Sequence, residues 1–122
     1  MIGAMFKFEK LQVWNKAIDF ADLVYLKTRS FPQDERFGLT NQMRRAAVSV
    51  SSHIAEGSSR ISEVDFARFV EISGGSLFEV VSQAFVAKKQ NFLADDDFKK
   101  LYACAERQGK ILSGLRNFLL KG

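Results

Sequence analysis

The sequence predicts an all-α protein, an antiparallel up-and-down four-helix bundle. Three observations predict this fold: apolar residues recur at three- and four-residue steps along four segments, the 122-residue chain contains a single proline, and no segment alternates like a half-buried strand. Four long helices joined by short turns pack most simply with each helix antiparallel to the next. We expect one domain over residues 1–122, in which residues 1–8 form a flexible lead. The helices are expected near residues 9–31, 40–59, 63–92 and 96–120.

The first helix has a wide apolar stripe made of two neighbouring lines of side chains. Its members are Leu11, Val13, Trp14, Ala17, Ile18, Phe20, Ala21, Val24 and Tyr25. The pair Phe31-Pro32 is predicted to end the helix, because a proline disfavours helical geometry at the residue before it. The segment that follows is short and is typical of a turn rather than of a domain boundary.

Thr40 is predicted to be the N-cap of the second helix. The inward line of this helix consists of Met43, Ala46 or Ala47, Val50, Ile54 and Gly57. Serines interleave with this line, and their small side chains allow a neighbouring helix to approach closely. The sequence Gly57-Ser58-Ser59 is predicted to close the helix.

The third helix is predicted to begin after Ser62, which forms a capping-box pattern with Asp65. Gly74-Gly75 interrupts its helical pattern, and such a pair indicates a kink or a tight helix contact. In the last helix, three aspartates at the start suit the positive end of the helix dipole, and a core line runs from Phe98 to Leu119.

Aromatic residues are more numerous than one small bundle core requires. The chain has 12 phenylalanines, and the third helix carries two apolar lines where a bundle core needs one. We therefore expect an oligomer interface formed by Phe78, Phe85 and Phe92, in which at least one of these side chains contacts a neighbouring subunit.

Composition and charge leave several classes of partner open. The net charge of +4 and a pI near 9.4 admit a nucleic-acid partner, although the charges are dispersed and form no polybasic block. The single cysteine, Cys104, cannot form an intramolecular disulfide, which favours a reducing compartment. The N-terminus lacks the pattern of a secretory signal, and no uninterrupted apolar run approaches the roughly 18 residues of a membrane span. We expect a soluble, cytoplasmic protein with no membrane association.

The residue types that carry catalysis or bind metals do not form a recognisable site. Ser52, His53 and Glu56 contain the elements of a hydrolase triad, but consecutive helical residues point about 100° apart, so Ser52 and His53 cannot meet. One histidine and one cysteine cannot build a closed zinc site. We expect no enzymatic activity, no metal and no cofactor.

Four arginines are the candidate nucleic-acid contacts: Arg44, Arg45, Arg60 and Arg68. Guanidinium groups bind phosphates bidentately, which suits nucleic acid. The alternative is an ordinary structural role as ion-pair donors, for example to Glu56, Glu71 or Glu79. Because Arg44 and Arg45 differ by about 100° around their helix, we expect one to pair with a carboxylate and brace the bundle while the other faces a channel or groove.

Several of these residues also resemble a known family. The matching positions are Leu11, Trp14, Ala17, Phe31-Pro32, Glu35, Phe37-Gly38-Leu39, Gln42, the run Arg44 to Ser49, Ile54-Ala55-Glu56-Gly57, Arg60, Gly75-Ser76-Leu77, Glu79 and Gln83. Over roughly Phe8 to Leu93 the chain is similar to the four-helix bundle family of proteins encoded in 23S rRNA intervening sequences, whereas the last helix matches only in pattern.

Two positions depart from that family. Ser51 and His53 stand where members usually carry proline and asparagine, which should leave the second helix straighter. Gln90-Asn91 stands where a glycine is usual before Phe92-Leu93.

The resemblance implies a bundle that assembles into a ring, commonly a pentamer with a central channel. Some relatives in diversity-generating retroelements act as accessory subunits that bind nucleic acid and a reverse transcriptase, and others have no established activity despite an old label as a ribosomal protein. We therefore expect a non-enzymatic homo-oligomer that binds RNA or DNA through basic side chains collected by the ring. The alternative is a protein–protein adaptor or scaffold with no nucleic-acid role.

Overall fold

The structure, a computed structural model that describes residues 5–121, contains four α-helices and two short 3-10 helices. The 3-10 helices, Lys7–Lys10 and Gln33–Glu35, precede the first and second α-helices. No strand occurs over residues 5–121, so the predicted all-α class is confirmed. The helix ends lie within three residues of the predicted ones. The α-helices are α1 Gln12–Thr28, α2 Leu39–Ser58, α3 Glu63–Lys89 and α4 Asp95–Lys121.

The four helices form the predicted antiparallel bundle. Each helix packs on the next one in the chain, and α1 packs on α4 to close the bundle, whereas the diagonal pairs share no close backbone approach over the described residues. The centre of the core contains the largest fully buried side chains, which include Phe20, Met43, Ile54, Leu77 and Leu101.

The α2–α3 contact is the most extensive one, because small residues lie along it. The hydroxyl of Ser73 is fully buried and donates a 2.7 Å hydrogen bond to the carbonyl of Val50 on the facing helix. Gly57 is buried near the end of α2, and a Cβ atom there would lie 2.7 Å from Cβ of Phe69 and 2.8 Å from Cδ1 of Phe66. Only glycine fits this position without a shift of α3.

The ends of α2 and α3 differ in part from the prediction. Thr40 is not the N-cap of α2: Gly38 occupies that position, and Thr40 lies buried in the first turn. The Gly38 N-cap leaves α2 without a side-chain cap, and the Glu35 carboxylate instead accepts a 3.1 Å hydrogen bond from the Leu39 N–H. The predicted cap of α3 is confirmed, since the Ser62 hydroxyl oxygen accepts a 3.0 Å bond from the Asp65 N–H.

Asn91 ends α3 in the left-handed conformation with φ of 64°. The Phe92 N–H donates to the Ala87 carbonyl at 2.9 Å, and the Asn91 N–H donates to the Lys88 carbonyl at 3.0 Å. This is the Schellman pattern, which glycine usually terminates and asparagine can terminate because it tolerates positive φ. The helix therefore ends at Lys89 rather than at the predicted residue 92.

The glycine pair in α3 does not mark a contact or a break inside the chain. The helix runs without interruption past Gly74 and Gly75, and a Cβ atom at either position would meet no atom within 4 Å. The prediction of a kink or tight contact is therefore wrong within one chain, since this face of α3 lies at the surface of the bundle.

Part of the predicted N-terminal lead is packed on α1. Residues 1–4 lie outside the described residues, whereas Phe8 belongs to the first 3-10 helix and its ring centroid lies 4.7 Å from that of Trp14. The Glu9 carboxylate accepts a 3.0 Å bond from the Phe6 N–H, which stabilises this turn.

The apolar character of α3 exceeds what the bundle buries. Its most apolar 18-residue window has a mean hydropathy of 1.2. By length and composition alone α3 is apolar enough to span a membrane, but the core helices of soluble proteins meet the same criterion. Only 28% of that window is buried within the chain. Much of the apolar surface of α3 therefore faces outward.

Candidate nucleic-acid interface and assembly surface

Arg44 lies against the bundle rather than in solvent. Its Nε donates a 2.9 Å hydrogen bond to the Thr28 hydroxyl oxygen, and its Nη2 approaches the Tyr25 carbonyl at 3.5 Å. The guanidinium carbon lies 4.7 Å from the centroid of the Tyr25 ring, a cation–π contact. Arg44 therefore braces α2 on α1, as expected of one of the two adjacent arginines. The expected carboxylate partner is wrong, because a hydroxyl and an aromatic ring take its place.

Arg45 is exposed on the adjacent face of α2. Over the described residues its side chain makes no ion pair and no hydrogen bond. An unpaired guanidinium retains all five N–H donors for a phosphate. Of the two adjacent arginines, Arg45 is therefore the one whose guanidinium is available to contact a phosphate.

Arg60 and Arg68 lie at the opposite end of α2, around the α2–α3 turn. Arg60 is exposed, and its guanidinium carbon lies 4.6 Å from the centroid of the Phe69 ring. Arg68 is also exposed but donates to the Asp65 carboxylate at 2.8 Å. Neither residue pairs with the glutamates considered from the sequence, and Glu71 instead pairs with Arg116 across α3 and α4.

The four arginines form two groups rather than one. Arg44 and Arg60 are separated by most of the length of α2, roughly 24 Å at a helical rise of about 1.5 Å per residue. Within one chain they cannot contact the same phosphate. Two further arginines, Arg29 and Arg36, lie near Arg44 around the α1–α2 connection and are not among the contacts predicted from the sequence. Their closeness depends on the path of the loop at Phe31-Pro32, which no periodicity reveals.

An apolar groove runs between α3 and α4 on the outer face of the bundle. It has a volume of about 950 Å³, and its lining includes Phe78, Val81, Phe85 and Tyr102. Phe78 is 77% exposed and Phe85 is 53% exposed. Glu106 and Lys110 provide opposite charges along the α4 side of the groove. Two of the three phenylalanines predicted at an oligomer interface therefore line one groove and remain more than half exposed.

Phe92, the third of these phenylalanines, packs within the chain. Its ring centroid lies 5.9 Å from that of the buried Phe31, and the side chain is half-buried against the core. The Schellman turn after α3 directs it inward, so Phe92 joins the α1–α2 loop to the core.

The family model described as 23S rRNA-intervening sequence protein matches residues 9–114. The chain belongs to this family. A search among curated proteins found no match. The family match extends through most of α4, beyond the residue 93 at which the sequence resemblance was drawn.

Two features of this 23S rRNA-intervening sequence family member now have a structural reason. The Ile-Ala-Glu-Gly segment ends in Gly57, whose missing side chain admits Phe66 and Phe69 of α3. The position before Phe92, where glycine is usual in the family, has positive φ, and Asn91 satisfies that requirement.

The residues considered for catalysis do not assemble into a catalytic arrangement in this family member. His53 Nδ1 lies 3.6 Å from a Glu56 carboxylate oxygen and makes no hydrogen bond over the described residues. Ser52 is exposed on a different face of α2. No group of three or more His, Cys, Asp or Glu side chains in the described part of the chain could hold a metal ion.

Cys104 is partly buried in α4 on the side that faces α1. Burial raises the pKa of its thiol, an effect that the nearby Arg107 guanidinium opposes. A raised pKa keeps the thiol protonated, which is typical of a structural rather than a nucleophilic cysteine.

Proposed function

We propose that this chain acts as a non-enzymatic, cytoplasmic homo-oligomer that binds RNA or DNA through arginines collected by a ring. The observation that carries the proposal is that Arg45 and Arg60 are exposed and make no ion pair over the described residues. Exposed guanidinium groups without a carboxylate keep their capacity for phosphate.

A second copy of the chain is the proposed occupant of the α3–α4 groove. The groove presents Phe78 and Phe85, and burying a phenylalanine from water contributes about 1.5–3 kcal/mol. Gly75 is exposed on the same helix with open space around its Cα, so another helix can approach there closely. The family resemblance favours closure into a ring, commonly a pentamer.

Assembly raises the total positive charge, which is a modest +4 in a single chain. Each added subunit contributes another +4 and another copy of the two arginine groups, and arginines separated along one α2 become part of a repeating pattern around the ring. A ring also focuses the electric field toward its centre, which strengthens the attraction of a polyanion.

The direct test is a titration of fluorescently labelled RNA and DNA with the full chain at several salt concentrations. We expect affinity to fall steeply with salt, similarly for unrelated sequences, because phosphate contacts release counterions. Arg45→Gln and Arg60→Gln should each weaken binding and reduce the salt slope by about one unit per lost contact.

Lys99→Gln is a matched control, since it also removes one positive charge but from a lysine already paired with Asp95 at 3.1 Å. Equal effects of Lys99→Gln and Arg45→Gln would show only general charge attraction. Absence of salt-sensitive binding, together with salt-insensitive capture of a protein such as a reverse transcriptase, would favour the adaptor function instead.

A further inference from the structure

A polar pocket lies between the end of α1, the connecting loop and the first turns of α2. It has a volume of about 330 Å³. Three arginines line it, Arg29, Arg36 and Arg44, together with the hydroxyl-bearing residues Thr28 and Thr40. It shares no residue with the α3–α4 groove.

The charge of this pocket is unbalanced. Over the described residues, none of the three arginines has a carboxylate oxygen within 4.0 Å. The acids on the same loop are Asp34 and Glu35, and the Glu35 carboxylate accepts from the Leu39 N–H at 3.1 Å instead. The Arg36 guanidinium carbon lies 5.6 Å from the centroid of the exposed Phe37 ring, and that of Arg44 lies over Tyr25, so neither has a carboxylate as its neighbour. Three arginine side chains that line one pocket without a counter-charge favour an anion there.

Thr40 supplies an independent observation. It is buried, with 7% of its surface exposed, and its hydroxyl has no hydrogen-bond partner over the described residues. A buried hydroxyl without a partner costs free energy, and a valine of similar shape would avoid that cost. A rotation of the side chain toward the pocket would give the hydroxyl an acceptor if an oxyanion were bound there.

The neighbouring groups are already arranged for an anion. The Thr28 hydroxyl donates to the Val24 carbonyl at 2.8 Å and accepts from Arg44 Nε, which holds Arg44 in place. Its Nη2 approaches the Tyr25 carbonyl at 3.5 Å, and its other N–H groups have no partner over the described residues. The pocket also adjoins the start of α2, where the helix dipole is positive and the Glu35 carboxylate accepts from the Leu39 N–H.

We propose that this pocket binds a phosphate monoester group. Arginine forks match the geometry of phosphate oxygens, and a monoester offers more negative charge than a phosphodiester of a nucleic-acid backbone. The phosphate could come from the end of a nucleic acid or from a small phosphorylated molecule. The pocket stands apart from the proposed nucleic-acid function, which rests on Arg45 and Arg60 outside it.

Calorimetric titration of the full chain with inorganic phosphate, against chloride at matched ionic strength, tests the pocket directly. We expect saturable binding that sulfate competes. Arg29→Gln and Arg36→Gln should each weaken phosphate affinity by about tenfold, whereas Arg107→Gln, at an exposed position of α4 outside the pocket, should bind as tightly as the wild type. Heats that do not saturate, or equal affinity in all three variants, would overturn the proposal.

Thr40→Val examines the buried hydroxyl separately. Because the hydroxyl has no hydrogen-bond partner in the described part of the chain to lose, the variant should unfold at the same temperature as the wild type or higher without phosphate. It should also gain less thermal stability from added phosphate. A variant that is destabilised without phosphate but gains as much from phosphate as the wild type would remove Thr40 from the site.

Two further titrations identify the source of the phosphate. An oligonucleotide with a 5′-phosphate should bind more tightly than the same sequence with a 5′-hydroxyl if nucleic-acid ends occupy the pocket, and Arg29→Gln should abolish that difference. Equal binding of the two, with inorganic phosphate still saturating, supports a small phosphorylated ligand. If the chain binds inorganic phosphate but no oligonucleotide, the proposed function is contradicted and the phosphate pocket is not. If the chain binds oligonucleotides but not inorganic phosphate, only the phosphate pocket is contradicted.

Discussion

The Nε of Arg44 donates to the hydroxyl of Thr28 at 2.9 Å and thereby ties the first half of α2 to the end of α1. The next residue, Arg45, makes no such bond over residues 5–121 and is exposed. Two adjacent arginines thus have different roles because one helical step turns them about 100° apart.

Arg44→Ala is expected to lower the free energy of unfolding by about 1–2 kcal/mol, because it removes a charge-assisted hydrogen bond and the contact with Tyr25. Arg45→Ala should change it by no more than about 0.5 kcal/mol. Urea denaturation of both variants, with equal assembly checked by sedimentation, measures the difference. Equal losses in the two variants would contradict the bracing role of Arg44.

Gly57→Ala should destabilise the bundle by about 1–3 kcal/mol. Its new methyl group would overlap with Phe66 and Phe69, and the cost of overpacking exceeds the better helix propensity of alanine.

Gly75→Ala is the matched control for Gly57→Ala, since open space surrounds Gly75 and alanine should stabilise α3 by about 0.5–1 kcal/mol. Thermal unfolding compares the two variants. If both glycine variants were stabilised, the close α2–α3 approach at Gly57 would be wrong. If Gly75→Ala stabilised the chain but weakened its self-association, Gly75 would belong to the subunit contact.

Asn91→Gly should be neutral or slightly stabilising, whereas Asn91→Ala should cost about 1 kcal/mol. The reason is the positive φ of 64°, which glycine adopts freely and alanine does not. Chemical denaturation distinguishes these outcomes. A larger loss in Asn91→Gly than in Asn91→Ala would mean that the asparagine side chain, rather than the backbone conformation, matters.

The ion pairs of Asp95 should make part of the free energy of unfolding depend on pH in the acid range. Hydrogen bonding and charge from Lys88 and Lys99 lower the pKa of this carboxyl from its ordinary value of 3.8. A pKa that is lower in the folded state adds stability that is present above pH 3.8 and lost as the pH falls through the folded value. Asp95→Asn should therefore be less stable than the wild type at neutral pH, and the difference should shrink in acid and in high salt.

Asp96→Asn is the control for Asp95→Asn, because Asp96 lies in the same helical turn and makes no ion pair in the described part of the chain. Urea denaturation across the acid range compares the three proteins. A difference between Asp95→Asn and wild type that persists unchanged in strong acid would contradict the assignment.

The helices and their order could be predicted from the sequence because apolar periodicity reports directly on which face of each helix is buried. The N-cap of α2 could not be predicted, because the conformation of the preceding loop determines which residue caps the helix. Here Gly38 is the N-cap, and Glu35 accepts from the first N–H of α2. The contact of Phe92 with Phe31 could not be predicted either, because it depends on the turn at Asn91, which directs the ring toward the core. A place for Phe92 in an oligomer interface stays a prediction.

In the candidate site, too, features that depend on one helix could be predicted from the sequence, and features that depend on several segments could not. The periodicity of α2 predicted that Arg44 and Arg45 would differ, since that depends on one helix alone. It could not predict that Arg29 and Arg36 approach Arg44, because this depends on three segments meeting around the α1–α2 loop.

In the proposed function, assembly of the chain into an oligomer brings together the arginines that bind nucleic acid. Sedimentation velocity of fluorescent RNA mixed with wild type, Phe78→Ser and Phe118→Ser tests it most directly. Phe118 is the control because it is 70% exposed but lies outside the α3–α4 groove. We expect RNA to sediment with an oligomer in the wild type and in Phe118→Ser, and Phe78→Ser to become smaller and release the RNA although every arginine remains. RNA bound equally well by a Phe78→Ser monomer, or a wild-type oligomer that leaves RNA free at low salt, would contradict the account.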